Sequence, residues 1–206
     1  MADAGAPKGD FSTDPDTTLM IRFAAGDEAA FDKIVANFQR QIFGVIYRYI
    51  GDWALAEDCA QEVFLRVYRM KHSYRATARL STLVYRITTN LCLNTLRDQG
   101  RRQALSLDAP RSGDDAPLSA ALESPGARTA EEELVTRERA EIVRRALARI
   151  PGRQRIALVL HRFEALSYAQ IAEAMDTNAE AVKALLARAR QSLAETLRAD
   201  IEAGNL

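Results

Sequence analysis

A stretch near the middle of the 206-residue chain constrains its fold more than any other feature. Residues 103–130 hold three Pro, two Gly and many Ser, Asp and Ala, but few large apolar side chains. A segment of this composition buries too little apolar surface to offset the entropy that ordering it would cost. We therefore expect a flexible, acidic linker at 103–130 between two separately folded parts.

Both flanking parts have the sequence pattern of helices. Ala, Leu and Arg are common, while Gly (10) and Pro (6) are sparse, which favours helix. No window alternates apolar and polar residues between turn signals, so we expect no sheet. The prediction is an all-α protein with a disordered tail (1–16) and two small helical domains (17–102 and 131–206). In the first domain the predicted helices are 17–25, 27–50, 53–70 and 80–102.

The sequence offers no support for a catalytic centre, a cofactor or a metal site. Cys59 and Cys92 lie in apolar helical windows, which is typical of buried free thiols in a reducing compartment. His72 and His161 are far in sequence from each other and from the cysteines, so a zinc site is not expected. There is also no phosphate-cradling Gly loop and no signal or membrane segment. We expect a cytoplasmic protein that is not an enzyme.

Charge is distributed unevenly along the chain although the formal net charge is zero. Residues 66–102 contain nine Lys or Arg and one acidic residue, whereas residues 108–141 contain nine acidic residues and four Arg. Residues 144–198 are basic again, with ten Lys or Arg and five acidic residues. Two basic blocks separated by an acidic one suggest that both domains contact nucleic acid.

The second domain has the pattern of a helix-turn-helix. Ser167 and Gln170 have the spacing of a capping box, which predicts a short helix at 168–175. Residues 176–178 form a polar turn, and Asn178 can cap the following helix. A group of outward residues on that helix, here called the recognition face, could contact phosphates or guanine: Lys183, Ala184, Ala187, Arg188 and Arg190. The alternative is a plain helical hairpin with a solvated basic face.

A second basic surface lies on the helix predicted at 80–102. At 100° per residue, five polar residues fall along one side of this helix. We call them the arginine stripe: Arg79, Arg86, Asn90, Arg97 and Arg101. Such a row suits contact with a phosphate backbone. A solvated face is the alternative, but solvated faces usually mix both signs of charge, and here Asp98 is the only acid.

The loop before this helix and the helix at 53–70 carry two further candidate surfaces. The loop residues His72, Ser73, Tyr74 and Arg75 are of the types that stack on an unstacked base and hydrogen-bond to it. On the helix, four residues share a face at helical spacing, here called the docking face: Asp58, Gln61, Glu62 and Leu65. An acidic face with an exposed Leu suits a protein partner better than DNA, and an ordinary solvated face is the alternative.

Three segments resemble one family in order and spacing. WALAEDCAQEVFLRVYR (53–69), ARLSTLVYRITTNLCLNTLR (78–97) and IPGRQRIALVLHRFEALSYAQIAEAMDTNAEAVKALLARARQSL (150–193) look like the extracytoplasmic-function (ECF) sigma factors of bacterial RNA polymerase, in the sigma-70 family. The resemblance implies a promoter-specificity subunit that recognises −35 and −10 elements, helps to melt the promoter and starts transcription of a stress- or signal-controlled regulon. The implied partners are core RNA polymerase, promoter DNA and an anti-sigma factor, with no stable homo-oligomer.

The resemblance also implies a role for each surface. The docking face would bind core polymerase, and the loop with the arginine stripe would hold the melted −10 element. The recognition face would contact the −35 element, with Arg155 on a phosphate. Ala181, Ala184 and Leu185 stand where the family often has polar residues, and Leu83 where it often has Trp. We therefore expect the recognition face to anchor phosphates more than it reads bases.

Two other classes of function would leave different signatures. A conventional helix-turn-helix regulator would bind a palindromic duplex without polymerase, with the first domain as a sensor or dimerisation module. An adaptor that binds only proteins would have no use for the arginine stripe, which argues against that class.

Overall fold

The structure, a computed structural model, describes residues 11–105 and 141–202. Within these two ranges it contains eight helices and no strand, which confirms the predicted all-α fold. The first four are α1 (Pro15–Ala24), α2 (Glu28–Ile50), α3 (Trp53–Arg69) and α4 (Leu80–Leu105). Residues 141–148 are helical and are called α5. They are followed by α6 (Gly152–Phe163), α7 (Tyr168–Ala174) and α8 (Ala179–Glu202). None of the described helices is long and apolar enough to span a bilayer.

Local signals set the ends of the first helices. The Asp14 carboxylate accepts a hydrogen bond from the Thr17 N–H at 3.1 Å, so α1 begins at Pro15, two residues before the predicted start. The predicted breaks at Gly26 and Gly51 are confirmed, because both residues adopt positive φ (109° and 84°). Gly51 ends α2 and donates its N–H to the Tyr47 carbonyl at 2.8 Å.

The predicted segment boundaries are only partly covered by the described residues. Residues 1–10 of the predicted tail lie outside them, and residues 15–16 belong to α1. Helix α4 continues to Leu105, three residues into the predicted linker, and the remainder of that linker, 106–130, lies outside the described part. So do residues 131–140 and 203–206 of the predicted second domain.

The first helical group, α1–α4, surrounds an apolar core that includes Phe23, Ile34 and Val63, each 0% exposed. The side chain of Trp53, the one tryptophan in the sequence, packs edge-on against Phe43 and Tyr47, with ring centroids 4.6 and 5.6 Å away. These contacts fix the start of α3 against the second half of α2.

Both cysteines are buried free thiols, as predicted. Burial raises the pKa of the Cys59 thiol and of the Cys92 thiol. Across the ranges 11–105 and 141–202, no three or more His, Cys, Asp or Glu side chains are grouped so that they could hold a metal ion.

The second helical group, α5–α8, contains the predicted helix-turn-helix. The capping box is present: Ser167 Oγ accepts from the Gln170 N–H at 3.3 Å, and Gln170 Oε1 accepts from the Ser167 N–H at 2.9 Å. Asn178 Oδ1 accepts from the Ala181 N–H at 2.8 Å and so caps α8. Val182 and Leu186 on α8 are 0% exposed. The side of α8 that carries Val182 and Leu186 therefore faces the core.

The two helical groups are in direct contact. Helix α6 packs on α2 and α4, and α7 packs on α4. Because α4 is covered on two sides, it buries residues on more than one face: Leu80, Val84, Tyr85, Thr89 and Cys92.

Candidate nucleic-acid interface

The recognition face of α8 is open to solvent. All five of its residues are exposed, whereas Val182, Leu186 and Ala189 on the opposite side are buried. Capping by Asn178 orients the first turn of α8, where Glu180 lies at the positive end of the helix dipole. This face therefore presents three cations among alanines, which leaves room for the backbone of a helical duplex to approach closely.

The arginine stripe is also exposed along α4. Arg79, Arg86, Asn90 and Arg97 are exposed, while the side chain of Arg101 lies outside the described part of the chain. Arg79 Nε is 3.8 Å from Asp14 Oδ1, and Arg97 Nε is 3.9 Å from its neighbour Asp98. Such long, solvated ion pairs contribute little to the free energy of unfolding. Both arginines can therefore exchange their carboxylates for phosphates.

The loop between α3 and α4 presents three of its four predicted contact residues. His72, Ser73 and Arg75 are exposed, but Tyr74 is only 9% exposed and belongs to the apolar core. Burial raises the pKa of the Tyr74 hydroxyl. The expectation that this ring is available to stack on a base is therefore corrected: in this structure Tyr74 anchors the loop to the core.

Arg155 lies in a different environment from the one expected of a phosphate contact. It is 7% exposed, and its guanidinium donates to the carbonyl oxygens of Tyr49 (2.8 Å), Ile150 (3.1 Å) and Ala148. The Tyr49 carbonyl is at the C-terminal end of α2, and the other two close the C-terminal end of α5. Burial lowers the pKa of Arg155, but a guanidinium stays charged in proteins. Arg155 here caps two helix ends instead of facing solvent.

The docking face lies on the outer side of α3. Asp58 and Gln61 are exposed, and Leu65 is 49% exposed. Glu62 is partly covered by Arg66, whose Nε donates to it at 2.7 Å and holds the pKa of this carboxyl below its usual range. The net negative charge of this face therefore comes mainly from Asp58.

An exposed aromatic residue that the sequence reasoning missed extends this face. Tyr68, one helical step beyond Leu65, is 43% exposed and contacts the rings of Phe23 and Phe31, with centroids 5.2 and 5.1 Å away. Leu65 and Tyr68 thus form an apolar strip beside the acidic residues. The i,i+3 spacing from Leu65 was the signal that could have found it.

Comparison with known proteins matches each helical group to a family model. The family model "Sigma-70 region 2" matches residues 34–102, and "Sigma-70, region 4" matches residues 140–193. The RNA polymerase sigma-H factor of Pseudomonas aeruginosa is 32% identical over 189 residues, which cover 89% of this chain and 94% of that protein. The ECF RNA polymerase sigma-E factor of Escherichia coli K12 is 33% identical over 184 residues, which cover 86% and 92%.

Two solved structures share the fold. CnrH, in complex with the cytosolic domain of CnrY, superposes with a TM-score of 0.66 at 18% identity, over 91% of this chain and 99% of that one. The sigma factor RpoE of Bartonella quintana, in complex with the anti-sigma factor NepR, gives 0.62 at 19% identity, over 82% and 98%. At these identities the similarity establishes the fold.

The two matched regions and the two full-length relatives place the chain in one class. It belongs to the sigma-70 family of RNA polymerase sigma factors, in the ECF group. Regions 2 and 4 are the parts of a sigma factor that recognise promoters, so the chain is a transcription initiation factor that works with core RNA polymerase and promoter DNA.

Proposed function

We propose that three surfaces divide the work of initiation. The docking face on α3 binds core polymerase, the arginine stripe and the preceding loop hold the melted −10 element, and the recognition face anchors the −35 element. The observation that supports this division most is the exposure of three separate surfaces, one acidic and two basic, within two groups that match regions 2 and 4. Each role follows from the chemistry of its surface.

The docking face suits a protein partner with basic and apolar groups. Asp58 offers an exposed carboxylate, while Leu65 and Tyr68 offer about half of their surface to a partner. Apolar anchors of this kind dominate the free energy of protein interfaces, and rim charges steer association. We include Tyr68 in the docking face from here on.

The loop and the arginine stripe suit single-stranded DNA. The stripe follows one side of α4 for several turns, so its cations can track a phosphate backbone. His72 and Arg75 are the exposed loop groups that can stack on a flipped base, because Tyr74 is held in the core. In this proposal Tyr74 positions the loop, and its neighbours make the contacts.

The recognition face suits phosphate anchoring at the −35 element. Lys183, Arg188 and Arg190 are exposed among small residues, and no Asn or Gln stands between them in the sequence for bidentate reading of adenine. The choice of promoter would then depend strongly on the loop and on α4.

The same proposal covers how the chain is regulated and in which compartment it acts. Structural neighbours were solved with an anti-sigma factor or the cytosolic domain of a partner, and we propose that a dedicated anti-sigma factor holds this chain inactive. The chain would act in the cytoplasm as a monomer, through binding and without catalysis or a cofactor.

Reconstitution tests the proposal directly. The purified chain is mixed with core polymerase, and run-off transcripts from genomic promoters are measured. The double variant Asp58→Ala/Glu62→Ala should bind core at least tenfold more weakly while keeping its helicity. The matched control, Asp32→Ala/Glu195→Ala, removes two exposed acids from α2 and α8 and should bind normally. Equal binding by both double variants would refute the docking face, and the absence of any promoter-dependent transcript would refute the proposed function.

A further inference from the structure

The start of α4 is capped by a residue of another helix. Helix α4 begins at Leu80, so Arg79 occupies the N-cap position. A guanidinium carries only donors and cannot accept a hydrogen bond from the N–H groups of the first turn. The Leu80 N–H instead donates to Thr17 Oγ1 at 3.0 Å. Thr17 on α1, 63 residues earlier in the chain, therefore supplies the acceptor that Arg79 cannot.

The Thr17 hydroxyl is held in the orientation that this cap requires. Thr17 is 0% exposed, and its Oγ1 donates its one proton to Asp14 Oδ2 at 2.9 Å. A hydroxyl that donates to a carboxylate keeps its lone pairs free to accept, here from the Leu80 N–H. Asp14 Oδ2 also accepts from the Thr17 N–H at 3.1 Å. The Asp14 carboxylate thus fixes both the backbone and the side chain of Thr17.

The same two residues lie beside the loop between α3 and α4 and beside the arginine stripe. Asp14 Oδ1 faces Arg79, the first residue of the stripe, at 3.8 Å from its Nε. The Tyr74 hydroxyl is also a neighbour: burial raises its pKa, the Thr17 hydroxyl lowers it, and the charge of Asp14 raises it. The start of α1 therefore meets the loop, the first turn of α4 and the first cation of the stripe at one place.

The other end of the loop is also attached from outside. Lys71 forms an ion pair with Glu28 at the start of α2, and its Nζ lies 4.6 Å from the centre of the Phe23 ring. Within the loop, the Thr77 N–H donates to the Arg75 carbonyl at 2.8 Å. Such a short-range bond bends the chain but does not fix the loop relative to α4. The position of the loop therefore depends on its attachments to α1 and α2.

We propose that Thr17 is a positioning residue for the melted −10 strand, an inference that rests on the proposed function. Its hydroxyl sets the first turn of α4 and, through that turn, the direction in which Arg79 and the loop meet a single strand. Without the hydroxyl, the Leu80 N–H loses its acceptor and the helix start frays. Binding would then have to order this surface, which lowers affinity although no DNA contact has been removed.

Substitutions of Thr17 in the full chain, bound to core polymerase, test this role. Thr17→Val keeps the shape of the side chain but removes the hydroxyl, whereas Thr17→Ser keeps the hydroxyl. The probe is a fluorescein-labelled single strand with the non-template −10 sequence of a promoter that is transcribed in the run-off assay. Measured by fluorescence anisotropy, Thr17→Val should bind this strand at least about fivefold more weakly, because a buried donor is left without a partner. Thr17→Ser should bind it as the wild type does.

The neighbouring Thr18 provides the matched control. Its hydroxyl donates to the carbonyl oxygens of Ser12 (2.8 Å) and Asp14 (3.0 Å), neither of which belongs to α4. Thr18→Val therefore removes the same group from an adjacent position and should leave the affinity for the strand unchanged. Two further measurements separate positioning from general damage. In Thr17→Val, amides at the start of α4 should exchange with deuterium faster, while binding to core polymerase should stay at the wild-type level.

Three results would overturn the proposal: an unchanged affinity in Thr17→Val, a loss that Thr17→Ser fails to restore, or a loss accompanied by weaker binding to core polymerase. If Thr17→Val loses helicity by circular dichroism, Thr17→Cys decides instead. Its sulfur is a weaker acceptor than an oxygen, so this variant must bind the strand more weakly than Thr17→Ser, or the proposal is wrong.

The variant Arg86→Ala/Arg97→Ala separates this inference from the proposed function. It removes two cations of the arginine stripe that lie beyond the first turn of α4. If this double variant binds the strand like the wild type, the proposed −10 surface is wrong and the inference falls with it. If the double variant loses affinity and Thr17→Val does not, the −10 surface stands and only the role of Thr17 is refuted.

Discussion

Replacing Arg155 with methionine would show how much the double helix cap contributes to stability. Methionine replaces the aliphatic stem of the side chain but removes three hydrogen bonds from a cationic donor. Hydrogen bonds to charged groups contribute about 1.5–3 kcal/mol each, and relief of the buried charge offsets part of that. We expect the free energy of unfolding to fall by about 3 kcal/mol, roughly a hundredfold in the folding equilibrium.

Urea unfolding followed by far-ultraviolet circular dichroism measures this loss. With a slope of about 2–3 kcal/mol per molar urea for a chain of this size, the midpoint should fall by about 1 M. Arg153→Met is the matched control, because Arg153 is exposed two residues earlier on the same helix, and it should change stability by less than about 0.5 kcal/mol. If both variants are equally stable, Arg155 does not cap the helices and the reasoning from its three carbonyl contacts is refuted.

Three further predictions concern other positions. Burial raises the pKa of the Glu164 carboxyl above its ordinary 4.5, so its contribution to stability is full below pH 4.5 and is lost as pH rises through the folded-state pKa. Glu164→Gln should therefore flatten the dependence of the melting temperature on pH between pH 4 and 7. Parallel curves for the variant and the wild type would contradict this prediction. Lys183→Ala and Arg188→Ala should each lower the slope of log affinity against log salt for duplex DNA by about 0.9, and an unchanged slope would exclude a phosphate contact. Tyr74→Ala should destabilise the fold by about 3 kcal/mol in a urea titration, because it removes a ring from the core. Unchanged stability would mean that the ring does not contribute to the core.

The features that sequence reasoning predicted correctly depend on residues close together in the chain. The capping box of Ser167 and Gln170 spans three residues, and the cap made by Asn178 spans three more. Gly51 ends α2 because its positive φ is easily reached only without a side chain. In each case the interacting groups and the conformation they require are visible in a short window of sequence.

The features that were missed depend on how distant parts of the chain meet. Arg155 and Tyr49 are 106 residues apart, and Tyr85 and Glu164 are 79 apart. A basic residue at a helix start is equally compatible with a phosphate and with a carbonyl of another helix, and only the docking of the two groups decides between them. Tyr74 posed the same difficulty, since an amphipathic ring in a loop suits either a core or a ligand.

The environment of Trp53 has a spectroscopic consequence. Its indole packs edge-on against Phe43 and Tyr47 within the first helical group, and the sequence contains no second tryptophan. Excitation at the red edge of indole absorption therefore yields emission from α1–α4 alone, whereas ellipticity reports on the helices of both groups. The chain carries a chromophore that reports on one half of the molecule, and the difference between the two signals measures whether its halves unfold together or in sequence.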